Sequence, residues 1–295
     1  MPKGRAYVAW VVVCLVWGTT YLAIRIAIES LPPLLMAGIR WIIAGSIILL
    51  FFTIKGKAAL DARGLLPSAA RGVLLIGFGN GAVVWAEQTV PSGLTSVFVA
   101  IAPFWMVGID TLLGDGHHLA GRQWAGLFIG FAGIVMLVSP ELGSDLAGSS
   151  FLRGFIATQL ACAGWAVGSI YARRSARQAS GGAESTAPAW EMLSGGLALT
   201  GVGLLSGEQI GSSVTMRSVA ATGYLIVFGS IVAFSAYRYA LRHLPVATIS
   251  LYVYVNTVIA VLLGTLVLGE PFSWRMGIGA GIVLAGIALV KQRGG

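Results

Sequence analysis

Two tryptophans occupy matching places in two similar stretches of the chain. Trp17 lies in CLVWGTTYLAIR (residues 14–25) and Trp165 in CAGWAVGSIYAR (residues 162–173), at a constant offset of 148. Hydroxyl side chains follow both tryptophans: Thr20, Tyr21 and Ser169. An indole ring has an apolar face and one N–H donor, and hydroxyl groups bind polar ligand atoms. We therefore predict a non-covalent binding site for a small amphipathic molecule, with interhelical packing and hydrogen bonding as the alternative.

Two asparagines add polar groups to otherwise apolar stretches. Asn80 stands between Gly79 and Gly81, which allow close approach of a neighbouring backbone or a ligand. Asn256 follows Tyr252 by four residues, so the two side chains share one face of a helix. Because an unpaired amide is costly in apolar surroundings, each asparagine must face something polar. We predict that both face the binding cavity, with a helix-to-helix hydrogen bond as the alternative.

Charged residues are rare in these stretches and therefore informative. Arg25 and Glu29 are four residues apart, which predicts a structural charge pair at the outer mouth of the site. Arg40, Asp110 and Glu191 are each expected near a helix end, where long side chains reach the lipid headgroups.

The composition determines which elements must carry these residues. The 295 residues are 57% hydrophobic and 10% charged, against about 25% charged in a soluble domain. With a mean hydropathy of +0.86, the chain is expected to be an integral membrane protein. Continuous apolar runs favour helices over the alternating strands of a barrel. Ten spans are predicted, near 6–28, 34–53, 72–88, 93–113, 123–139, 154–172, 188–206, 219–237, 246–268 and 275–291.

The distribution of positive charge predicts the orientation. If the amino terminus is cytoplasmic, fourteen of the 19 lysines and arginines lie on the cytoplasmic side, Arg153, Arg217 and Arg275 lie on the opposite side, and Arg25 and Arg40 lie within helices. This is the positive-inside pattern, and it predicts that both termini are cytoplasmic. The net charge of +8 is thus a topology signal and does not indicate nucleic-acid binding.

The sequence similarity continues beyond the tryptophans. Pro91 and Ser96 match Pro245 and Ser250, and glycines match in the same order farther on: Gly126 with Gly279 and Gly133 with Gly286. These matches predict a duplication, with a first half at 1–145 and a second at 146–295. Five spans per half make the second copy inverted, which is the architecture of carriers that work by alternating access.

Prolines and glycines have predicted structural roles within these halves. Prolines remove backbone hydrogen bonds and kink helices, so Pro91, Pro103 and Pro245 are predicted to shape gating helices. Gly126-x-x-x-Gly130 and Gly277-x-x-x-Gly281 predict close helix packing.

Three stretches resemble a known family: VWGTTYLAIRIAIESLPPLLMAGIR, GNGAVVWAEQTVPSG and YVNTVIAVLLGTLVLGEP. They are similar to the EamA branch of the drug/metabolite transporter superfamily, and within it to bacterial exporters of the YedA-like and YddG-like type. The resemblance covers essentially the whole chain. It implies an all-α, ten-helix, 5+5 inverted-repeat fold in the bacterial inner membrane and export of amino acids and related metabolites. One departure is Thr257 after Asn256, where family members commonly have proline, so this helix is expected to be straighter here.

Several functional classes lack their sequence signals. No G-x-x-x-x-G-K-[ST] phosphate loop is present, and no hydrolase motif indicates an enzyme. His117, His118 and His243 lack ligand-type neighbours at metal-site spacing, so no metal or other cofactor is predicted. Both cysteines lie inside predicted helices, which argues against a disulfide.

The sequence thus predicts a secondary exporter of small amphipathic metabolites, foremost aromatic or apolar amino acids, that works as a multi-pass protein in the bilayer with a monomer favoured. A nucleotide-sugar or sugar-phosphate exchanger is the first alternative, although such anions require several basic groups near the midplane. An intramembrane enzyme is a remote alternative.

Overall fold

The described chain is helical. The computed structural model describes residues 2–56, 62–88, 90, 92–113, 120–138, 149–178, 186–268 and 274–290. The helices are α1 (Pro2–Ala27), α2 (Pro33–Ile54), α3 (Ala62–Gly72), α4 (Gly81–Ala86), α5 (Ser92–Val99), α6 (Ala102–Leu112), α7 (Gly121–Val138), α8 (Ser149–Gln178), α9 (Ala187–Leu205), α10 (Met216–Tyr224), α11 (Ala233–His243), α12 (Val246–Ser250), α13 (Tyr252–Leu268) and α14 (Trp274–Val290).

Two π-helical segments join neighbouring helices without a break in the helical path. Val73–Asn80 links α3 to α4, and Leu225–Val232 links α10 to α11. The same spacing of 152 residues separates their first residues and their last residues. A π-helical turn shifts the backbone hydrogen bonds by one residue, which leaves carbonyl groups available to other partners.

Six helical stretches are long and apolar enough to cross a membrane: Lys3–Ala27, Pro33–Ile54, Gly64–Ala86, Leu152–Ala176, Met216–His243 and Val246–Leu263. The other predicted spans, near 93–113, 123–139, 188–206 and 275–291, are also helical where the structure describes them, apart from turn residues at Ala100, Ile101, Leu113 and Ser206. A shorter apolar helix, Gly277–Val290, belongs to the last of these. The described chain therefore supplies six candidate spans, and a count of ten stays a prediction.

Two of the three predicted proline positions lie where a helix begins. The chain turns at Ala100 and Ile101 between α5 and α6, and Pro103 follows as the second residue of α6. Pro245 directly precedes α12. Both positions suit proline, because the first helical turn needs no backbone N–H. Pro91 lies outside the described residues. Helix α13 runs unbroken through Thr257, and the expectation that this helix is straighter than in family members stays a prediction.

Contacts between α2 and α9 are reciprocal. A β-carbon at Gly38 would lie 2.8 Å from the carbonyl oxygen of Gly196, and one at Gly45 would lie 2.8 Å from that of Ala189. A spacing of 151 residues separates Gly38 from Ala189 and also Gly45 from Gly196. Each contact therefore repeats the other with the two helices exchanged, as an antiparallel two-fold relation requires.

The same reciprocity holds for α7 and α14. Gly126 packs on the carbonyl of Gly286 at 2.7 Å, and Gly133 packs on that of Gly279 at 2.9 Å, both measured from an added β-carbon. These are the two matched glycine pairs of the sequence, but each glycine contacts the partner of the other. The prediction of close packing at 277–281 is wrong at Gly281, because a β-carbon there would meet nothing within 4 Å.

We therefore expect Gly286→Ala to destabilise the protein and Gly281→Ala to leave it unchanged or slightly more stable. The added methyl group at position 286 would lie 2.5 Å from the backbone nitrogen of Gly130, so the helices must separate, at about 1–3 kcal/mol. At position 281 alanine only improves helix propensity, by up to about 1 kcal/mol. Thermal unfolding of the two variants in detergent provides the measurement. Equal transition temperatures for both would contradict the close packing of α7 on α14.

Candidate functional site

A cavity of about 100 Å³ lies among α1, α2, α4, α8 and α13. Seven predicted binding residues line it: Trp17, Thr20, Tyr21, Asn80, Trp165, Tyr252 and Asn256. Its α1 lining extends from Trp17 toward the end of that helix, as far as Ile24. The cavity thus lies between the tryptophans and the face at which α1 ends, which we call the distal face; the face at which α1 begins is the proximal face.

Four aromatic rings pack together at the proximal side of this cavity, and three of them, Trp17, Trp165 and Tyr252, line it. Trp17 and Trp165 meet edge to face with ring centroids 5.4 Å apart. Tyr237 lies 5.2 Å from each indole, and Tyr252 lies 5.1 Å from Trp17 and 5.6 Å from Tyr237. Such contacts stabilise by about 0.5–1.5 kcal/mol per pair beyond area burial. We call Trp17, Trp165, Tyr237 and Tyr252 the aromatic cluster; it brings together α1, α8, α11 and α13.

Hydrogen bonds fix both indoles. The Trp17 Nε1–H donates to the carbonyl oxygen of Gly229, in the second π-helical segment, at 2.9 Å. The Trp165 Nε1–H donates to the hydroxyl of Tyr237 at 3.0 Å. That hydroxyl also lies 2.6 Å from Ser169 Oγ. Ser169 is therefore placed behind the aromatic cluster, where it holds Tyr237, and it does not line the cavity.

Asn256 and Asn80 both line the cavity but have different partners. In the orientation that satisfies its amide, Asn256 donates to the carbonyl oxygens of Cys14 at 2.8 Å and Tyr252 at 3.0 Å. It therefore ties α13 to α1, which is the alternative stated for it above. The side-chain oxygen of Asn80 accepts hydrogen bonds from Arg40 Nη2 at 2.6 Å and from Trp41 Nε1 at 3.0 Å.

Arg40 was expected near the lipid headgroups, and this expectation is wrong. Its side chain is 2% exposed and lines the cavity. The residue lies two turns into α2, about 10 Å from the start of the helix at Pro33, and it points inward to Asn80. Residue spacing alone did not show that the Arg40 side chain points toward the cavity. The position of Arg40 well inside the helix and the need of Asn80 for a polar partner both indicated it.

The predicted Arg25–Glu29 pair is also wrong, because each residue has another partner. Arg25 Nη1 donates to the carbonyl oxygen of Glu87, just beyond the end of α4, at 2.8 Å. Glu29 lies 3.6 Å from Arg217 in an exposed ion pair. Carbonyl groups in the last turn of a helix lack helical partners, so a cation there is favourable.

The matched arginine of the second stretch, Arg173, also donates to a carbonyl group at the end of a neighbouring helix. Arg173 Nη1 donates to the carbonyl oxygen of Leu244, just beyond the end of α11, at 3.0 Å. Arg25 acts at the distal face and Arg173 at the proximal face. The repeated stretch therefore provides, in each copy, an indole in the middle of the protein and an arginine that caps a neighbouring helix.

A buried ion triad lies on the proximal side of the aromatic cluster. Glu191 on α9 is 0% exposed, and its two carboxylate oxygens lie 2.7 Å from Arg71 Nε and 3.0 Å from Arg238 Nε. Arg71 also donates to Ser68 at 2.7 Å and to Ser175 at 3.1 Å. The ion triad Arg71–Glu191–Arg238 thus joins α3, α9 and α11, and α8 through Ser175. Its members are far apart in the sequence, which gave no signal for it.

The family model for EamA-like transporters matches residues 4–139 and 152–292 of the chain. The chain belongs to this family. It is 38% identical over 277 residues to a protein of Escherichia coli named uncharacterized inner membrane transporter YedA, covering 94% of this chain and 87% of that one. It is 26% identical to an E. coli protein named probable amino-acid metabolite efflux pump, over 93% of this chain and 91% of that one.

One solved crystal structure has the same fold. It superposes with a TM-score of 0.77 at 19% sequence identity and covers 97% of each chain. The relatives are named as transporters and efflux pumps, and the fold of this EamA-family chain is shared over its full length.

Substitution of Glu191 tests how much the ion triad contributes to the stability of the protein. We expect Glu191→Gln to reduce stability by about 3–5 kcal/mol, because it leaves two largely buried guanidinium groups without an anion. Glu29→Gln, which breaks an exposed pair, is the matched control and should change stability by less than about 1 kcal/mol. Both values come from thermal or denaturant unfolding in detergent. A Glu191→Gln protein as stable as the control would show that the triad does not hold these helices together.

Proposed function

We propose that this EamA-family transporter is a secondary exporter of small amphipathic metabolites, foremost amino acids with apolar or aromatic side chains, in the bacterial inner membrane. The observation that carries the proposal is the cavity beside the aromatic cluster, which combines an aromatic wall with Asn80, Arg40 and hydroxyl groups. Such a site binds apolar and polar parts of one molecule at once. The names of the relatives, an inner membrane transporter and an amino-acid metabolite efflux pump, agree with it.

We propose that the chain folds as ten spans in two inverted halves, 1–145 and 146–295, with cytoplasmic termini. The reciprocal contacts of α2 with α9 and of α7 with α14 support this relation. The equal positions of the two π-helical segments support it as well. The excess of lysine and arginine on one side of the predicted spans supports the orientation. In that orientation the proximal face is cytoplasmic and the distal face is periplasmic.

These elements support transport by alternating access. The aromatic cluster and the ion triad both lie between the cavity and the proximal face, so the described conformation is closed on the side proposed to be cytoplasmic. Export then requires a second conformation, in which these contacts separate and equivalent contacts form on the distal side. The prolines at the breaks in the helical path, Pro103 and Pro245, are proposed to guide this movement, and Pro91 is proposed with them on its sequence position alone.

The cavity size favours a small cargo. Its volume of about 100 Å³ is well below the roughly 300–1,000 Å³ of sites for drug-sized ligands. This conformation therefore suits a small cargo better than one as large as a sugar nucleotide. Because a carrier must also release its cargo, we expect modest affinity.

A substrate panel in proteoliposomes separates the candidate functions. Export of tryptophan, phenylalanine or threonine from protein-containing vesicles, absent in empty vesicles, is the expected result. The alternative, a nucleotide-sugar or sugar-phosphate exchanger, predicts exchange of a labelled sugar nucleotide instead. Arg40 is the single cation among the described residues lining the cavity, which favours a cargo with one negative group over a dianion. Failure of all three amino acids together with sugar-nucleotide exchange would overturn the proposal.

We predict that Trp17→Ala and Trp165→Ala each reduce the transport rate at low substrate concentration by at least about tenfold. Loss of an aromatic contact to a ligand is worth about 0.5–1.5 kcal/mol, and loss of the buried ring adds to this. Trp274→Ala is the matched control, since Trp274 is 68% exposed on α14 and far from the cavity lining. Initial rates are compared at equal amounts of reconstituted protein. Normal transport by both cavity variants would remove the tryptophans from the site.

A further inference from the structure

We infer that Arg40 binds the carboxylate group of the transported molecule, so that the carrier selects carboxylate-bearing amphiphiles over the corresponding amines. This inference rests on the proposed function, because it names the chemical group that the exported molecule must present. It concerns the charged part of the cavity lining, whereas the aromatic cluster supplies the apolar part.

The first support is that Arg40, which lines the cavity, has unused hydrogen-bonding capacity. Its Nη2 donates to Asn80, but within the described chain its buried Nε–H has no acceptor. A guanidinium group carries five N–H donors in a planar fork that matches the geometry of a carboxylate. A carboxylate that enters the cavity would give these donors the acceptor that the protein does not provide.

The second support is the charge of Arg40. No described acidic side chain forms an ion pair with it, in contrast to Arg71 and Arg238, which share Glu191. Glu87 is the acidic residue that acts on Arg40 electrostatically, without direct contact. A buried cation without an adjacent anion is unfavourable, and an anionic ligand relieves this. The charge of the site therefore favours a cargo with one negative group.

The third support is that Arg40 is held in place before a ligand arrives. The side-chain oxygen of Asn80 fixes Nη2 at 2.6 Å, and the guanidinium carbon lies 5.0 Å from the centre of the Trp41 ring. Trp41 is itself fixed by its N–H bond to Asn80. A fixed guanidinium loses little side-chain entropy on binding, so a weakly bound cargo can still be oriented. The carboxylate would then lie at Arg40 and the apolar side chain on the indoles of Trp17 and Trp165.

Matched pairs of cargo test the inference with the unmodified carrier. We would measure export of leucine against isoamylamine and of phenylalanine against phenethylamine, since each amine lacks only the carboxylate. We expect each amino acid to be transported at least about tenfold faster than its amine at equal low concentration. Amines exported as fast as the amino acids would overturn the role of Arg40 while the exporter function stands. If the carrier exports none of these four compounds and none of the other amino acids tested, both the proposed function and the inference are overturned.

Variants test the residue itself. Asn80→Asp replaces the side-chain amide that already contacts Arg40 with a carboxylate. This carboxylate would neutralise the guanidinium group and compete with the carboxylate of the cargo. We expect a rise in KM for leucine of about 10- to 100-fold with a smaller change in kcat, and a reduced preference for leucine over isoamylamine. Arg40→Gln should abolish the preference, and Arg40→Lys should retain part of it.

The matched control is Arg217→Gln, which removes an equally charged but exposed arginine at the distal face. Its KM and its preference for the amino acid should equal those of the unmodified carrier. Because Arg40→Gln removes a buried contact, its folding is checked by thermal unfolding, and the conservative Asn80→Asp variant decides the question if Arg40→Gln does not fold. Unchanged KM and unchanged preference in Asn80→Asp would overturn the inference.

Discussion

The contact between Trp17 and Trp165 is the point on which the rest of the structure depends. The described core contains two large apolar clusters, and these two indoles are the side chains that pack against both. An indole is large enough to bridge two clusters and still has one N–H that must be satisfied. Neighbouring elements provide the acceptors. The carbonyl oxygen of Gly229 in a π-helical segment accepts the hydrogen bond from Trp17, and the hydroxyl of Tyr237 accepts the one from Trp165.

These two hydrogen bonds are unequal, although the surrounding sequences match. Gly229 has a counterpart in Gly77, which occupies the same place in the first π-helical segment, 152 residues earlier. A strictly symmetric pair of halves would have Trp165 donate to Gly77, as Trp17 donates to Gly229. Instead the Trp165 N–H is bound by Tyr237 within the aromatic cluster. This difference accompanies the cavity on the distal side and the closed aromatic cluster on the proximal side.

The sequence predicted the helices and much of the cavity because these depend on residue type and spacing. Long apolar runs predict helices in lipid, and a mid-helix indole predicts a central position, so Trp17, Trp165, Asn80 and Tyr252 were identified correctly as neighbours of one space. The direction of a side chain around its helix is not given by its distance from the helix end. For that reason Arg40 was placed at the headgroups, although it faces the cavity.

Partners that are distant in the sequence were missed for a related reason. Arg25 was paired with Glu29, because a spacing of four residues is visible in the sequence, whereas its actual acceptor is a backbone carbonyl of Glu87. Backbone acceptors have no residue-type signal. The ion triad likewise joins Arg71 to Glu191 across 120 positions. The sequence offers no local pattern that could connect them.

Arg40 and Glu191 occupy equivalent positions, since the spacing of 151 residues that relates α2 to α9 also relates these two residues. They carry opposite charges, and their surroundings differ accordingly. Glu191 is neutralised by two arginines on the closed side, and Arg40 lacks a contacting anion on the side of the cavity. If the halves exchange conformations during transport, the second conformation cannot place a symmetry-equivalent cation beside the cargo. The residue equivalent to Arg40 is the acidic Glu191. With the role inferred for Arg40, this one residue would bind the cargo in both conformations, at a single site that the two conformations share.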